Sequence, residues 1–219
     1  MESYQREFVD FLVQTQALRF GEFTLKSGRT SPYFFNAGEF HKGEDLERLG
    51  YFYASAIRQL GNQPTVIFGP AYKGISLSLA AAIAMANHFD TNVAYSFDRK
   101  EVKSHGEGGW LVGRIPTNED QVVIVDDVVT DGATKRDAIQ RLKEATGAHI
   151  TGLVIALDRR ERTLEGGNAI AQLEESTGVE VRSIITIDHI LQHLTERNGS
   201  VLTEGVRNQI AAYLSEHGL

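Results

Sequence analysis

The chain has 219 residues, of which 42% are hydrophobic and 23% charged, as in a folded globular protein rather than a disordered one. With 22 Lys and Arg against 29 Asp and Glu, the formal charge of −7 argues against a nucleic-acid binder, because neutralising phosphates needs a basic face. The lack of cysteine excludes disulfides, Cys-ligated zinc and a thiol nucleophile. No apolar run approaches the about 20 residues that span a bilayer, and no signal peptide is visible, so we expect a soluble cytoplasmic protein.

The first 61 residues are predicted to form two helices with a small hairpin between them. Apolar residues at helical spacing predict a first helix over residues 3–18. Residues 20–40 carry aromatic runs around a Ser/Gly/Pro turn, which predict a small hairpin outside the main sheet. Residues 44–60 are again helical in pattern, and Gly61 ends that helix.

From residue 65 onwards, short β-branched runs alternate with helical segments. The predicted strands are 65–68, 92–97, 121–125, 150–157 and 181–187, and the predicted helices between them are 75–88, 133–145 and 168–176. This alternation predicts an α/β fold with a parallel sheet buried between helices on both faces. Ligands of such sheets bind at the carboxyl ends of the strands, so the chemistry is expected there.

The most informative strand end is that of the run 121–125, which is followed by Asp126 and Asp127. A Thr-x-Gly-x-Thr turn, Thr130 to Thr134, then leads into a helix and can present backbone N–H groups to a phosphate. Carboxylates repel phosphate but can bind sugar hydroxyls or a divalent cation. A ribose 5-phosphate would use both the carboxylates and the turn. The alternative is an ordinary helix cap and turn. A Walker-type nucleotide triphosphatase is not supported, because its Gly-x-x-x-x-Gly-Lys-Ser/Thr loop is missing.

The stretch 122–134 resembles the phosphoribosyl diphosphate signature of the type I phosphoribosyltransferases. Further segments, in family order, narrow the resemblance to the orotate phosphoribosyltransferases; they are residues 20–29, 31–36, 68–74, 99–101 with Lys103, 105–109 and 157–159. The resemblance implies the type I fold, a mostly parallel central sheet flanked by helices with a small N-terminal hood. It also implies one domain over residues 1–219, with the hood largely in 1–40, the core in about 60–190 and a mobile lid in about 99–109.

The family joins orotate to 5-phospho-α-D-ribose 1-diphosphate (PRPP), giving orotidine 5′-phosphate and diphosphate in de novo pyrimidine biosynthesis. The resemblance implies Mg²⁺ held mainly by substrate and water rather than by a cage of protein ligands.

The residues expected to bind PRPP are Tyr72, Lys73, Arg99, Lys100, Lys103, His105, Asp126, Asp127, Val128, Val129, Thr130, Asp131, Gly132, Ala133 and Thr134. Asp131 stands where the family usually has a small residue, so its side chain is expected to point to solvent. The loop with Lys73 is expected to bind diphosphate, and the resemblance allows a cis Ala71–Tyr72 peptide.

The expected catalytic residues are Lys103, His105, Asp126 and Asp127. Lys103 would stabilise the departing diphosphate, His105 would assist as a diphosphate contact, and the two aspartates would hold the ribose hydroxyls. The resemblance also places the basic lid in the neighbouring subunit's site, which implies a homodimer.

Orotate is expected to contact Lys26, one of Phe34 and Phe35, Thr130 and Arg159. Arg159 would pair with the orotate carboxylate, for which a guanidinium is suited.

Two other functions are weighed against this one. A phosphoribosyltransferase-fold regulator that binds nucleotide and then RNA or DNA would need a basic face, against which the charge of −7 argues. A purine phosphoribosyltransferase would leave Arg159 without a carboxylate to bind. We therefore expect no nucleic-acid or membrane partner.

Overall fold

A computed structural model of the chain describes residues 1–103, 109–197 and 201–219. The helices of this part of the chain are α1 Ser3–Gln14, α2 Gly43–Ile57, α3 Lys73–Phe89, α4 Ala133–Thr146, α5 Ala169–Thr177, α6 Ile187–Glu196 and α7 Glu204–His217, with a short 3₁₀ helix at Ala37–Glu39. Its strands are β1 Leu18–Thr24, β2 Thr30–Phe35, β3 Val66–Gly69, β4 Ala94–Lys103, β5 Gly109–Gly113, β6 Gln121–Asp126, β7 His149–Asp158 and β8 Val181–Thr186.

The strands form two separate sheets, which confirms the predicted α/β class. β1 and β2 pair in antiparallel fashion as the expected hairpin, apart from the six-stranded sheet of order β5-β4-β3-β6-β7-β8. Within the large sheet β4, β3, β6, β7 and β8 are parallel, and β5 runs antiparallel along β4. The carboxyl ends of β3, β6 and β7 therefore lie side by side at one edge of the sheet.

Both faces of the large sheet are covered by helices, because alternate residues of each buried strand point to opposite sides. Val123 and Val125 belong to the apolar cluster that includes α1, α2 and α3, whereas Val122 and Ile124 belong to the cluster that includes α4 and α5. On the first side α2 and α3 pack so closely that a Cβ at Gly50 would lie 2.3 Å from the Ala80 carbonyl oxygen.

The structure departs from the sequence prediction mainly where polar residues continue a strand. β4 was expected to end at residue 97, because the charged residues 98–101 lack an apolar pattern, but it runs on to Lys103. Its partner β5 was not predicted either, because its three apolar residues lie between glycines and are too few to mark a strand. The first helix ends at Gln14 rather than residue 18, since Leu18 already begins β1. Ile187, expected at the end of a strand, begins α6 because the Thr186 hydroxyl accepts a hydrogen bond from the His189 N–H at 3.3 Å.

No helix in the described ranges is long and apolar enough to cross a bilayer.

Candidate functional site

Three adjacent parallel strands bring the predicted site residues to one edge of the sheet. Lys73 begins α3 just after β3, Asp126 is the last residue of β6, and Arg159 follows the last residue of β7. The order β3-β6-β7 makes these strand ends neighbours, although the residues lie as much as 86 positions apart in the chain (159 − 73). The predicted location of the chemistry thus coincides with the edge where α/β sheets bind ligands.

The two adjacent carboxylates make the same pair of contacts. One oxygen of Asp126 accepts a hydrogen bond from the Asp127 N–H at 2.8 Å, and one oxygen of Asp127 accepts one from the Val128 N–H at 2.8 Å. The second oxygen of Asp127 pairs with Lys73 Nζ at 2.5 Å, and the second oxygen of Asp126 pairs with Lys135 Nζ. Each carboxylate is therefore oriented by a backbone N–H and neutralised by its own lysine.

Asp126 is the more deeply placed of the two carboxylates, with 8% of the residue exposed. Burial raises the pKa of its carboxyl group, while the charge and hydrogen bond of Lys135 oppose that rise. The backbone beneath is fixed as well, since the buried Tyr53 hydroxyl donates to the Asp126 carbonyl at 2.8 Å and the Ala156 N–H donates to the Asp127 carbonyl at 2.9 Å. Asp126 thus projects from a rigid strand end.

The turn after β6 leads directly into α4, as the phosphate-binding hypothesis requires. Gly132 has φ 78°, a left-handed conformation that suits glycine, and precedes the first residue of the helix. Thr130 and Thr134 are exposed, and Val128 and Val129 are half-buried. Asp131 is exposed as expected, but its carboxylate folds back and accepts a hydrogen bond from the Ala133 N–H at 3.0 Å. That carboxylate therefore engages one of the backbone N–H groups of the turn that was predicted to bind phosphate.

The loop between β3 and α3 is compact and contains a cis Ala71–Tyr72 peptide, as the resemblance allowed. A Cβ at Gly69 would lie 1.8 Å from the Gly74 carbonyl oxygen, so the two ends of the loop touch through their backbones. The Asp98 carboxylate on β4 accepts a hydrogen bond from the Ala71 N–H at 2.5 Å. Tyr72 is 73% exposed, and Lys100 Nζ lies 5.9 Å from its ring centroid.

Arg159 is held by several groups rather than standing alone. Its Nε donates to Glu161 Oε1 at 2.8 Å, and its Nη2 lies 2.7 Å from the same oxygen and donates to the Ser31 hydroxyl at 2.9 Å. The guanidinium lies over the Tyr33 ring at 4.1 Å, and the Tyr33 hydroxyl donates to the same Glu161 oxygen at 3.1 Å. The hairpin and the end of β7 therefore fix the position of the guanidinium together.

The hairpin also carries the other residues expected to contact a base. Phe34 and Phe35 lie on opposite faces of β2: Phe35 is buried in the core, and Phe34 stacks on Phe23 with ring centroids 5.4 Å apart. Lys26 is exposed in the turn between β1 and β2. Arg29 in the same turn donates to the Arg162 carbonyl at 2.7 Å and so ties the hairpin to the segment that follows β7.

Only part of the predicted lid is described. Arg99 is half-buried on β4 and donates to the Gly109 carbonyl at 3.4 Å, and the backbones of Lys103 and Gly109 pair between β4 and β5. The side chain of Lys103 and the whole of His105 lie outside the described residues, so both roles stay predictions.

Sequence reasoning missed three contributors to the site: Lys135, Glu161 and the Ser31–Tyr33 pair. Lys135 follows the recognised signature by one residue and stands in the first turn of α4, where a basic residue is unfavourable, and that position was an available signal. Glu161 lies two residues beyond Arg159, but no pattern in the sequence marks it as the partner of that arginine. In the described ranges no three His, Asp or Glu residues lie close enough together to hold a metal ion.

Comparison with known proteins agrees with this geometry. A family model described as a phosphoribosyl transferase domain matches residues 36–195. The orotate phosphoribosyltransferase of Vibrio parahaemolyticus is 45% identical over 219 residues, covering 100% of both chains. The solved structure of orotate phosphoribosyltransferase from Francisella tularensis is 34% identical with a TM-score of 0.85, covering 97% of this chain and 100% of that one. A Mycobacterium tuberculosis orotate phosphoribosyltransferase solved with PRPP is 16% identical with a TM-score of 0.63 over 85% of this chain and 98% of that one, a likeness of fold alone.

The Arg159–Glu161 pair gives a stability prediction. The side chains of Arg159 and Glu161 are only 16% and 13% exposed, so Glu161→Ala leaves a largely buried cation without its partner. We expect this variant to lower the free energy of unfolding, measured with urea, by about 3 kcal/mol. The matched control is Asp188→Ala, which breaks the Arg160–Asp188 pair at 51% and 53% exposure and is expected to cost less than about 1 kcal/mol. If Glu161→Ala and Asp188→Ala lowered the free energy of unfolding equally, burial would not be what sets the strength of the Arg159–Glu161 pair.

Proposed function

The chain belongs to the orotate phosphoribosyltransferase family, and on that basis we propose that its site transfers the 5-phosphoribosyl group of PRPP to orotate, releasing diphosphate. The product, orotidine 5′-phosphate, is a precursor of UMP in pyrimidine biosynthesis. The proposal rests mainly on one observation: Lys73, Asp127 and Arg159 lie at the ends of three neighbouring parallel strands. A cation, a carboxylate and a fixed guanidinium there match the diphosphate, sugar and base carboxylate of the two substrates.

The sugar is held at the end of β6. The carboxylates of Asp126 and Asp127 accept hydrogen bonds from the ribose hydroxyls, and the backbone from Thr130 to Thr134 surrounds the 5-phosphate at the start of α4. The Asp131 carboxylate leaves the Ala133 N–H when the phosphate binds there. Val128 and Val129, half-buried between the carboxylates and the turn, set the spacing of these two subsites.

The diphosphate lies at the end of β3. Lys73 is 53% exposed, so it can exchange the Asp127 carboxylate for an oxygen of the incoming diphosphate. Tyr72 and Arg99 border the same region, and Lys100 stands over the Tyr72 ring. Cationic groups placed here stabilise the negative charge that develops on the departing diphosphate as the ribose carbon becomes oxocarbenium-like.

Orotate lies between the hairpin and the end of β7. Glu161 and Ser31 engage Nε and Nη2 of Arg159, and the guanidinium donates to the orotate carboxylate through Nη1. Thr130 adds a hydrogen bond to the pyrimidine, Lys26 approaches from the turn of the hairpin, and Phe34 or Phe35 forms an apolar wall. The rigid guanidinium orients the ring nitrogen towards the ribose carbon.

Magnesium would be held mainly by substrate oxygens and water, because the carboxylates nearest the site already have lysine partners. The oxygen ligands of the site suit this cation, which would neutralise charge on the diphosphate. The M. tuberculosis relative solved with PRPP is a precedent for the sugar donor in this fold.

The active form is a homodimer in which Lys100, Lys103 and His105 of one subunit complete the site of the other. An apolar cleft between α2 and α3 supports this, since it holds the 59% exposed Ile83 and reaches the site at Tyr72. Exposed apolar surface of this kind is typical of a subunit interface. The cytoplasmic location expected from the sequence stays a prediction.

The proposed reaction is tested by following orotate consumption in the ultraviolet with purified protein and PRPP. We expect turnover with Mg²⁺, strong loss of turnover with a chelator, and no product when adenine or hypoxanthine replaces orotate. Turnover of a purine would favour the purine enzyme, and PRPP binding without turnover of any base would favour a regulator.

The role of Arg159 is tested by comparing the two substrates. Arg159→Ala is expected to raise the KM for orotate at least about tenfold while the KM for PRPP changes by less than about threefold, since a charge-assisted contact contributes about 1.5–3 kcal/mol. The neighbouring Arg160→Ala is the control, because Arg160 is exposed and pairs with Asp188. In Arg159→Ala the unpaired Glu161 carboxylate could itself repel orotate. The double variant Arg159→Ala/Glu161→Gln removes that charge, so any remaining rise in the KM for orotate reports the lost contact with Arg159. A larger effect on PRPP than on orotate would contradict the assignment.

Crossing of the lid between subunits is tested by mixing two inactive variants. Lys103→Ala supplies intact carboxylates, and Asp126→Ala/Asp127→Ala supplies an intact lid. Half of the randomly mixed dimers then contain one complete site out of two, so about a quarter of wild-type activity is expected. Differently tagged subunits verify that mixed dimers form, and no recovery in verified mixed dimers would exclude the crossing.

A further inference from the structure

Lys135 is a cation of the site that neither the sequence analysis nor the reaction above requires. It stands in the first turn of α4, where the helix dipole disfavours a positive charge. Its side chain is only 13% exposed, and its Nζ pairs with the carboxylate of Asp126, which is 11% exposed. Burying a lysine at the unfavourable end of a helix costs free energy, and the contact with Asp126 offsets that cost.

The two lysines at the carboxylates differ in burial, and this difference separates their roles. Lys73 is 53% exposed and comes from the loop after β3, whereas Lys135 is 13% exposed and comes from α4. A mostly exposed lysine can exchange its partner for an incoming anion at little desolvation cost. A buried lysine cannot leave its partner without leaving a buried carboxylate uncompensated.

We propose that Lys135 is a positioning residue for the sugar donor: it stays paired with Asp126 through the catalytic cycle and aims that carboxylate at the ribose hydroxyls. Asp126 has one oxygen on the Asp127 N–H and the other on Lys135, so both oxygens have fixed directions. With the lysine removed, the carboxylate is buried without a counter-charge and is free to rotate or to take up a proton. The inference rests on the proposed binding of the sugar at Asp126.

The test is a double-mutant cycle of Lys135→Met and Asp126→Asn, with ribose 5-phosphate binding measured by calorimetry and the KM for PRPP measured by assay. Ribose 5-phosphate carries the hydroxyls and the 5-phosphate but no diphosphate, so Lys73 contributes little to its binding. We expect Lys135→Met to weaken binding about tenfold, Lys135→Arg to restore it to within about threefold, and Lys135→Met to have no further effect beside Asp126→Asn. The KM for orotate is expected to stay constant.

Two controls keep a folding defect apart from a positioning effect. Lys143→Met removes a lysine from the last turn of the same helix, where Nζ donates to the Thr177 carbonyl at 2.9 Å, and is expected to leave both KM values unchanged. A variant that merely unfolds lowers the apparent kcat through a smaller active fraction and leaves the KM for PRPP unchanged. The double variant Lys135→Met/Asp126→Asn leaves no unpaired buried charge. We therefore expect it to be more stable than either single variant.

An equal loss from Lys135→Met in the wild-type and Asp126→Asn backgrounds would show that the lysine acts on the phosphate itself, and this would overturn the inference. An unchanged affinity for both sugar ligands in Lys135→Met would overturn it as well. If the wild-type protein binds neither ribose 5-phosphate nor PRPP, the proposed function itself fails. If the wild-type protein binds them and Lys135→Met binds them equally well, only the inference fails.

Discussion

The site depends on the pairing of two adjacent carboxylates with two lysines that come from different helices. Asp126 and Asp127 leave the end of one buried strand, and without counter-charges they would repel each other and the anionic substrate. Lys73 at the start of α3 and Lys135 at the start of α4 supply those charges. Because the helices follow β3 and β6, the pairing also fixes how the two strand ends and their loops stand relative to one another.

The same arrangement recurs at the other end of the site, where Glu161 holds Arg159 through Nε and Nη2. The protein is acidic overall, with a formal charge of −7, yet its proposed substrates are a polyanion and a carboxylate. Lys73, Lys135 and Arg159 each pair with an internal carboxylate, so these three cations are neutralised within the protein. In the proposed reaction only the exposed Lys73 exchanges its carboxylate for an anionic group of a substrate, whereas Lys135 and Arg159 keep their carboxylate partners.

The strand ends could be predicted from sequence because each rests on a local pattern. The run 121–125 followed by two aspartates and a glycine turn specifies a strand, a site and a helix start within 14 residues, and β6, the turn and α4 lie where expected. The extension of β4 could not be predicted in this way, because residues 98–101 are all charged, and the short strand β5, flanked by glycines, takes its strand conformation from pairing along β4. Helix α7 was missed because its outer positions are polar and its contacts are with distant parts of the chain, among them strand β2.

The partners of the charged groups could not be predicted for a related reason. Nothing local in the sequence says that Ser31 reaches Arg159, 128 positions later, or that Lys135 turns back to Asp126 rather than out to solvent. Such contacts depend on which strands become neighbours and on which side chains lose water. Burial then decides what each cation can do: the exposed Lys73 is free to exchange partners, while Lys135 and Arg159 are fixed by desolvation. The degree of burial therefore separates Lys73, whose side chain is mostly in solvent, from Lys135 and Arg159, whose positions are set by the carboxylates beside them.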